Sequence, residues 1–527
     1  MQEDNIKNSY YIFKIYYLYE KRYRDKKIIC ICKYTGESYD RAYFDILLHP
    51  IIAMRTINDR YLKFLETFLD HTQIEQFVDA CHQSVSKSIT LAHYFSHHRK
   101  VDFTQKPWWR LEKVRPCQTN HNYYVYREDM SVPLGLTRGH QCGFFYIQES
   151  AASLPASLID YHDHMTILDM CASPGGKTTQ ILDWSRPYHN ITIIANEPDW
   201  VRLATLKENL SRMSADRVLY TQYDGTIYGR IAFHSCDCVL LDAPCSGEGT
   251  AFKSNNALAN WRIQEIKKIA NLQYQLLESA YQCCKPGGQI IYSTCTINPL
   301  ENECNVSRFL DQYPDMELMP IQISTLSTGL KSNTHYTIRS DVSQYTARAW
   351  PHIQHTGGFF IAKMKKKVWL STWFQISHQN PPIYHTNKFT LIGNKLLQSL
   401  WKWLAENFGI NDLSWYFYSQ DQHLIYAHSI SPTHPLINLS KWYWLPIIKK
   451  LNTDRYLPLH HLAPLYHDQI SKNIVNLDGQ DIQTYLNGHD LKINNLDDGW
   501  YILCHRSVPV MVSKIVSGVL KYKWIKG

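Results

Sequence analysis

The stretch MTILDMCASPGGKTT, residues 165–179, decides the fold of this chain. A short apolar run ends in Asp169, a turn of small residues follows, and a helical pattern extends to about Trp184. A strand, a tight turn and a helix in this order are typical of an α/β sheet, in which ligands bind beyond the carboxyl ends of the strands. The sequence therefore predicts a ligand site at this turn.

Apolar runs and helical patterns continue to alternate downstream. Strands are predicted at ITIIANE (191–197), RVLYTQYD (217–224), DCVLLDAP (237–244), QIIYSTC (289–295) and GGFFIAKMKK (357–366), with helices over 198–214 and 260–284 and a turn at KPGG (285–288). This alternation predicts a doubly wound α/β domain with a mostly parallel sheet.

The sequence on either side of this core predicts smaller regions that contain both helices and strands. A helical pattern follows Met54, and residues 74–96 are predicted to form a second helix. Because the helical pattern begins there, we expect Met54 to be the true start of the protein. The expected segments are a leader of doubtful reality over 1–53, an N-terminal α+β domain over 54–150, an α/β core over 151–367 and a C-terminal α+β region over 368–527.

Composition excludes several classes of protein. The 527 residues include 55 Lys+Arg against 47 Asp+Glu, and this mild excess of +8 does not demand an all-basic nucleic-acid scaffold. The 14 cysteines include no C-x-x-C, the spacing on which zinc ribbons and redox dithiols rely, so we expect reduced thiols and no metal. No apolar run approaches the roughly 18 residues of a membrane span, and the N-terminus lacks a secretory pattern. We therefore expect a cytoplasmic protein without a membrane partner.

Glycine-rich turns such as CASPGGKTT (171–179) bind two kinds of ligand, phosphates and nucleoside cofactors. A Walker loop needs glycine at the position of Cys171, whose Cβ would obstruct the wrap around phosphates. A loop for a nucleoside cofactor fits better, because small residues such as Gly175 and Gly176 let the backbone approach the ligand closely.

Acidic residues follow the next predicted strands. Glu197 stands 21 residues after Gly176, at a position where an acid accepts hydrogen bonds from ribose hydroxyls. Asp224 and Asp242 close or follow the next two strands near the same edge of the sheet. An acidic rim suits S-adenosylmethionine, which has a positive sulfonium and no phosphate. The sequence therefore predicts S-adenosylmethionine as the cofactor.

Two cysteines come directly after predicted strands, in DAPCSGEGT (242–250) and YSTCTINPLENE (292–303). Both strand ends lie on the cofactor side, so we expect Cys245 and Cys295 to meet in one pocket. A thiolate beside a methyl donor indicates attack at C6 of a cytosine, which makes C5 nucleophilic enough to take the methyl group. A second cysteine can then act as the base that removes the C5 proton. The spacing alone does not assign the two roles.

These motifs resemble those of the Nol/Nop/Sun family of RNA cytosine-C5 methyltransferases. The matching segments are DMCASPGGKT (169–178), ANE (195–197), YDG (223–225), LDAPCSGEG (241–249) and YSTCT (292–296), preceded by FFYIQESAASLP (144–155). The resemblance implies a Rossmann-like S-adenosylmethionine methyltransferase core with a small N-terminal α+β domain and a C-terminal α+β, PUA-like region.

The resemblance also implies roles for individual residues. Cys295 would be the nucleophile, Cys245 would help to release the product, and Arg202 matches a further family position. The residues implied to contact the cofactor are Cys171, Ala172, Ser173, Pro174, Gly175, Gly176, Lys177, Glu197, Asp224 and Asp242.

Within the family, the likeness is strongest to bacterial members that methylate a cytosine of 16S ribosomal RNA. We therefore expect a monomeric enzyme whose partner is ribosomal RNA, within the small ribosomal subunit. Two alternatives stay open: the same chemistry on transfer RNA, and a non-catalytic RNA-binding or ribosome-assembly factor. Aromatic residues interleaved with cations in KPWWRLEKVR (106–115) and LKYKWIK (520–526) are candidate RNA contacts.

Overall fold

The computed structural model of the chain describes most residues from 57 onward. The described residues are 57–83, 85, 88–92, 113–116, 123–126, 133–253, 258–368, 390–411, 415–419, 423–439, 445–452, 455–505 and 507–522. The expected leader over 1–53 lies outside them, as do residues 106–112 and 523–526 of the two candidate RNA-contact segments. Within the described ranges, no helix combines the length and the apolar character needed to cross a bilayer.

The core is built on five parallel strands that belong to a nine-stranded sheet of the described residues. In spatial order the five strands are Cys284–Thr294, Cys236–Asp242, Thr166–Asp169, Thr192–Asn196 and Val218–Thr221. The chain order reverses direction beside Thr166–Asp169, which is where α/β sheets bind their ligands. This half of the sheet confirms the α/β prediction.

The other half of the sheet is antiparallel. Phe359–Lys366 pairs with Cys284–Thr294 on one side. On its other side, its first half pairs with Ala347–Ala349, which in turn pairs with Ser327–Thr328, and its second half pairs with Met316–Met319. The sheet is therefore more mixed than the sequence pattern predicts, because strands of two to four residues are too short to show a periodicity. The predicted turn KPGG lies inside Cys284–Thr294, where Gly287 has a φ of 82°.

Helices cover both faces of the parallel strands. They are Gly176–Ser185, Trp200–Arg212, Tyr228–Ile231, Ile263–Cys283 and Glu303–Gln312. Consecutive strand residues point to opposite faces, so that Ile193 and Ala195 join one buried cluster while Ile194 joins the other. Burial on both faces explains why these strands are almost continuously apolar in sequence.

The N-terminal part contains the helices Asp59–Leu65 and His71–His82, the second of which begins with a capping box at Asp70. Its four-stranded antiparallel sheet has the order Lys113–Pro116, Tyr123–Tyr126, Ser88–Leu91 and Phe145–Gln148. The prediction of one helix over 74–96 is thus wrong beyond His82. The β-branched residues of Ser88–Leu91 instead pair with Phe145–Gln148 at the centre of this sheet.

The C-terminal part has two five-stranded sheets among the described residues. The first is an antiparallel meander of Thr390–Leu391, Tyr416–Ser419, Leu424–His428, Leu445–Asn452 and Arg455–Pro458. The helix Asn394–Phe408 packs against it. The second, PUA-like sheet has the order Ile474–Asn476, Gly499–His505, Val508–Val516, Val519–Lys521 and Leu491–Lys492. Its buried side chains form one cluster with those of the N-terminal sheet, for example Val510 with Phe144.

Candidate active site

The carboxyl ends of the parallel strands bring the predicted functional residues to one edge of the sheet. Asp169 and Asp242 are the last residues of their strands, and Cys295 comes directly after Thr294. Glu197 follows Asn196 in the same way. Because the strands are parallel, these positions lie side by side although the sequence separates them widely.

The glycine-rich turn leads from Thr166–Asp169 into the helix Gly176–Ser185. Gly175 caps this helix with a φ of 108°, a left-handed conformation that glycine adopts without strain. A Cβ on Gly176 would lie only 2.9 Å from the side-chain oxygen of Gln148, so the turn also packs tightly against the N-terminal sheet. The backbone conformation therefore requires glycine at 175, whereas at 176 the close neighbours are side chains.

Asp169 lies buried beneath this turn. Thr178 Oγ1 donates to Asp169 Oδ2 at 2.7 Å, while Asp169 Oδ1 has no hydrogen-bond partner within the described part of the chain. Burial raises the pKa of Asp169 to about 7, against the opposing effects of the Thr178 hydrogen bond and of Lys177. The edge thus contains a buried acceptor that the surrounding protein leaves unused.

Lys177 and Asp242 form an ion pair across the site, with Nζ and Oδ2 2.6 Å apart. Ser293 Oγ donates to the other oxygen, Asp242 Oδ1, at 2.8 Å. Burial alone would lower the pKa of Lys177, but the attraction of Asp242 outweighs burial and raises it. Lys177 is therefore held in its charged form, and both side chains are held in place by hydrogen bonds.

Glu197 is connected to the glycine-rich turn through Arg202. The guanidinium of Arg202 lies 3.3 Å from Glu197 Oε2 and donates to the carbonyl of Ser173 at 3.2 Å. Burial raises the pKa of Glu197, while the hydrogen bond from the Asp199 backbone and the charge of Arg202 lower it. Asp224, by contrast, is exposed, and its Oδ1 accepts from the backbone of Thr226 in its own turn.

The two predicted cysteines meet. The Sγ atoms of Cys245 and Cys295 lie 3.3 Å apart, a hydrogen-bonding distance for thiols and well beyond the ~2.05 Å of a disulfide. The hydrogen bond to Cys295 raises the pKa of Cys245 well above its ordinary range, and burial adds to this effect. A negative charge on Cys295 would add to the effect of Asp242 and raise the pKa of Lys177 further.

A close backbone contact closes the loop that holds Cys245. Gly249 N donates to the carbonyl of Cys295 at 3.0 Å, and Gly358 N donates to the carbonyl of Gly249 at 2.8 Å. A Cβ on Gly249 would lie 2.3 Å from the carbonyl oxygen of Gly358. The loop after one parallel strand is thus tied both to the cysteine of the next strand and to the antiparallel strand beyond it.

Sequence reasoning missed a buried polar network beneath the two cysteines. Glu248 accepts hydrogen bonds from Trp261, Asn298 and Thr296, and burial raises its pKa to about 7. Glu301 Oε2 accepts from the backbone N of Ser246 and from Gln273 Nε2. The two acids lie inside the motifs GEGT and PLENE, but Gln273 stands in an ordinary helical pattern that carries no such signal.

Two family models and one solved structure match parts of the chain. The family model described as 16S rRNA methyltransferase RsmB/F matches residues 156–365, and the model described as the methyltransferase RsmF PUA domain matches residues 472–523. The crystal structure of PH0851 is similar with a TM-score of 0.51 and 25% sequence identity, over 63% of this chain and 70% of that chain.

Two similar curated relatives share one name, ribosomal RNA small subunit methyltransferase F. The protein of Aeromonas salmonicida is 29% identical over 442 residues, which are 82% of this chain and 88% of the relative. The protein of Erwinia tasmaniensis is 31% identical over 422 residues, which are 78% of this chain and 84% of the relative. The chain therefore belongs to the ribosomal RNA small subunit methyltransferase F family.

Proposed function

We propose that this chain transfers a methyl group from S-adenosylmethionine to C5 of a specific cytosine in 16S ribosomal RNA, through a covalent adduct between Cys295 and C6. The observation that carries the proposal is the 3.3 Å contact between the Sγ atoms of Cys245 and Cys295 at the sheet edge. Two thiols in one pocket supply both a nucleophile and a base, which this substitution needs.

The residues of the edge fit S-adenosylmethionine, which supplies an electrophilic methyl group when bound. Glu197 is placed to accept hydrogen bonds from ribose hydroxyls, because it follows the strand next to the glycine-rich turn. The buried Asp169 Oδ1 is an acceptor with no partner among the described residues. Glu197 and Asp242 offer further carboxylate oxygens at the same edge, and Arg202 and Lys177 balance part of their charge. The turn over residues 171–177 would surround the rest of the cofactor.

The first step uses Cys295. Its thiolate would form a bond to C6 of the cytosine and the ring electrons would move to C5, which would take the methyl group while the cofactor's sulfur keeps the electron pair of the broken S–CH3 bond. Lys177 supports the reactive form of Cys295, because an ammonium close to a thiolate stabilises the charged sulfur. Asp242 keeps this ammonium in position through the 2.6 Å ion pair.

The second step uses Cys245. In the free enzyme, the hydrogen bond to Cys295 is the largest cause of the raised pKa of Cys245. Once Cys295 is bonded to carbon, it no longer accepts this bond as a thiolate, so Cys245 ionises more readily. Its thiolate then takes the C5 proton, the bond between C6 and Cys295 breaks, and the double bond between C5 and C6 forms again. Cys295 leaves as a thiolate and the product is 5-methylcytosine.

The relatives support ribosomal RNA as the substrate, since their printed names specify the small ribosomal subunit. The PUA-like sheet supports an additional contact with RNA, and its buried cluster with the N-terminal sheet fixes it to the part that precedes the core. A cytosine within a folded RNA must leave its stack to reach the thiols, and a surface beyond the pocket is needed to hold the RNA in that state.

Bisulfite sequencing of ribosomal and transfer RNA tests this function. RNA is compared between cells with the gene, cells without it, and cells that express only the Cys295→Ala variant. We expect one cytosine of 16S ribosomal RNA to lose its 5-methylcytosine signal in the second and third samples. Loss of a signal in transfer RNA instead would show that transfer RNA is the substrate. Unchanged 5-methylcytosine signals in all samples would contradict the function.

A further inference from the structure

The residues on both sides of Cys245 are hydrogen-bonded to one buried pair of side chains. Glu301 Oε2 accepts from the backbone N of Ser246 at 3.0 Å. Gln273 Nε2 donates to the same oxygen at 2.8 Å and to the carbonyl of Pro244 at 2.9 Å. The backbone immediately before and immediately after Cys245 is therefore held by the Glu301–Gln273 pair.

The residues on both sides of Cys295 are held in a similar way by the next residue of the chain, Asn302. Thr294 Oγ1 donates to Asn302 Oδ1 at 2.6 Å. Asn302 Nδ2 donates to the carbonyl of Thr296 at 3.0 Å. Two consecutive residues, Glu301 and Asn302, thus each support a different cysteine.

We infer that Glu301 and Asn302 are positioning residues for two separate steps of the reaction, Asn302 for formation of the covalent adduct by Cys295 and Glu301 for its resolution by Cys245. The inference rests on the proposed roles of the two cysteines and deepens them. It assigns a separate support to each cysteine, although the supports are adjacent in sequence.

The surroundings make the Glu301–Gln273 pair a rigid support. Glu301 and Gln273 are both fully buried. Tyr292 Oη donates to the carbonyl of Glu301 at 2.6 Å, and Asn305 Nδ2 donates to Gln273 Oε1 at 3.2 Å. Glu301 Oε1 has no partner among the described residues, but any displacement of the pair would break the hydrogen bonds of Glu301 Oε2 and of Gln273 and leave further buried groups unpaired.

The loop after Asp242 needs this support. Pro244 is exposed at the surface, while Cys245 must reach the C5 proton of a base bonded to Cys295. Proton transfer requires hydrogen-bond distance, and a misplacement of about 1 Å can slow a reaction about 10²-fold. Removal of the Glu301 carboxylate frees Ser246 N and one donor hydrogen of Gln273, so Cys245 loses its fixed position. Thr294 and Thr296, on either side of Cys295, keep their hydrogen bonds to Asn302.

Single-turnover reactions separate the two steps. The substrate is small ribosomal subunits from cells that lack the gene, with S-adenosylmethionine labelled in the methyl group. The covalent complex is measured on denaturing gels, and released product is measured as labelled RNA. Cys245→Ala is the reference variant, which should accumulate the adduct. If Cys245→Ala accumulates none, the proposed role of Cys245 fails, and the role of Glu301 fails with it.

The two positioning variants should behave in opposite ways. We expect Glu301→Ala to accumulate the adduct, as Cys245→Ala does, with resolution about 10²-fold slower and formation nearly unchanged. Asn302→Ala should slow formation and accumulate no adduct. Glu301→Gln keeps an oxygen that accepts from Ser246 and Gln273, so it should restore most of the resolution rate. If Cys245→Ala accumulates the adduct while Glu301→Ala does not, the role of Glu301 is overturned and the proposed function stands.

A purely structural role predicts a different pattern, which a matched control can reveal. Glu303, two residues beyond Glu301, is equally buried but is bonded to Arg348 instead of the backbone beside Cys245. Glu303→Gln should lower the melting temperature without changing the ratio of formation to resolution. If Glu301→Ala and Asn302→Ala also slow both steps in equal proportion, the inference is overturned.

If Glu301→Ala does not fold, a second variant and a measurement on the unaltered enzyme test the same inference. Gln273→Met removes the donor to the Pro244 carbonyl and should also slow resolution more than formation. In the unaltered enzyme, the Ser246 amide should exchange its hydrogen as slowly as the core strand Cys236–Asp242, because its acceptor Glu301 is buried. Rapid exchange at Ser246 would overturn the inference.

Discussion

The Sγ atoms of Cys245 and Cys295 lie 3.3 Å apart although 50 residues separate them in the chain. The contact follows from the register of two adjacent parallel strands, in which Asp242 is paired with Ser293. Cys245 comes three residues after Asp242 and Cys295 comes two residues after Ser293, so each thiol lies just beyond the sheet edge. A shift in this register would separate the two thiols.

Replacement of Glu197 tests the cofactor side of the site. Glu197→Gln removes a negative charge and one acceptor near the expected ribose, so we predict about 10-fold weaker binding of S-adenosylmethionine, or ~1.4 kcal/mol. Isothermal titration calorimetry measures the change. Glu208→Gln, at an exposed position of the helix Trp200–Arg212, is the control and should leave the affinity unchanged. If the unaltered enzyme and both variants bind with equal affinity, Glu197 does not contact the cofactor.

Replacement of Arg348 tests the buried ion pair behind the pocket. Arg348 and Glu303 are both fully buried, and two hydrogen bonds of 2.5 and 2.6 Å join them. Arg348→Met leaves the buried carboxylate without its cation, with only the Leu330 backbone N still donating to it, so we predict a loss of about 3–5 kcal/mol in the free energy of unfolding. Chemical denaturation checks this value. Lys268→Met, which breaks the exposed pair with Glu265, should cost less than about 1 kcal/mol.

Glu248 makes stability depend on pH. Burial raises its pKa in the folded protein to about 7 from an ordinary 4.5, so the folded state favours the protonated carboxyl. Its contribution is fully present below pH 4.5 and is lost as pH rises through about 7. We predict that the unfolding free energy of the wild type, relative to Glu248→Gln, falls by about 3 kcal/mol across this window. Denaturation curves measured at several pH values test the sign, and a difference that rises with pH would contradict the prediction.

Replacement of Gly249 tests the backbone contacts of the loop that holds Cys245. The Cβ of Gly249→Ala would lie 2.3 Å from the backbone carbonyl oxygen of Gly358, which cannot move aside as a flexible side chain can. We predict a loss of about 1–3 kcal/mol in stability together with slower methylation, because the loop also bonds to the Cys295 carbonyl. Thermal melting and methyl transfer are measured together. Gly135→Ala is the control, since no atom lies within 4 Å of the added Cβ.

The sequence predicts the parallel half of the sheet because its strands are apolar runs closed by acids or cysteines. It predicts the meeting of Cys245 and Cys295 because parallel strands end at one edge. It does not predict Ser88–Leu91, whose four residues fit a helical pattern equally well. Nor does it predict the Gln273–Glu301 hydrogen bond, which depends on how the helix Ile263–Cys283 packs beneath the loop.

The most direct test of the covalent mechanism is the trapping of its intermediate. Cys245→Ala is incubated with S-adenosylmethionine and small ribosomal subunits that lack the modification, and the products are separated on a denaturing gel. We predict a protein–RNA complex that resists denaturation and that is absent when Cys295→Ala is added to the same variant. A complex that persists without Cys295, or RNA methylation by Cys295→Ala alone, would contradict the mechanism.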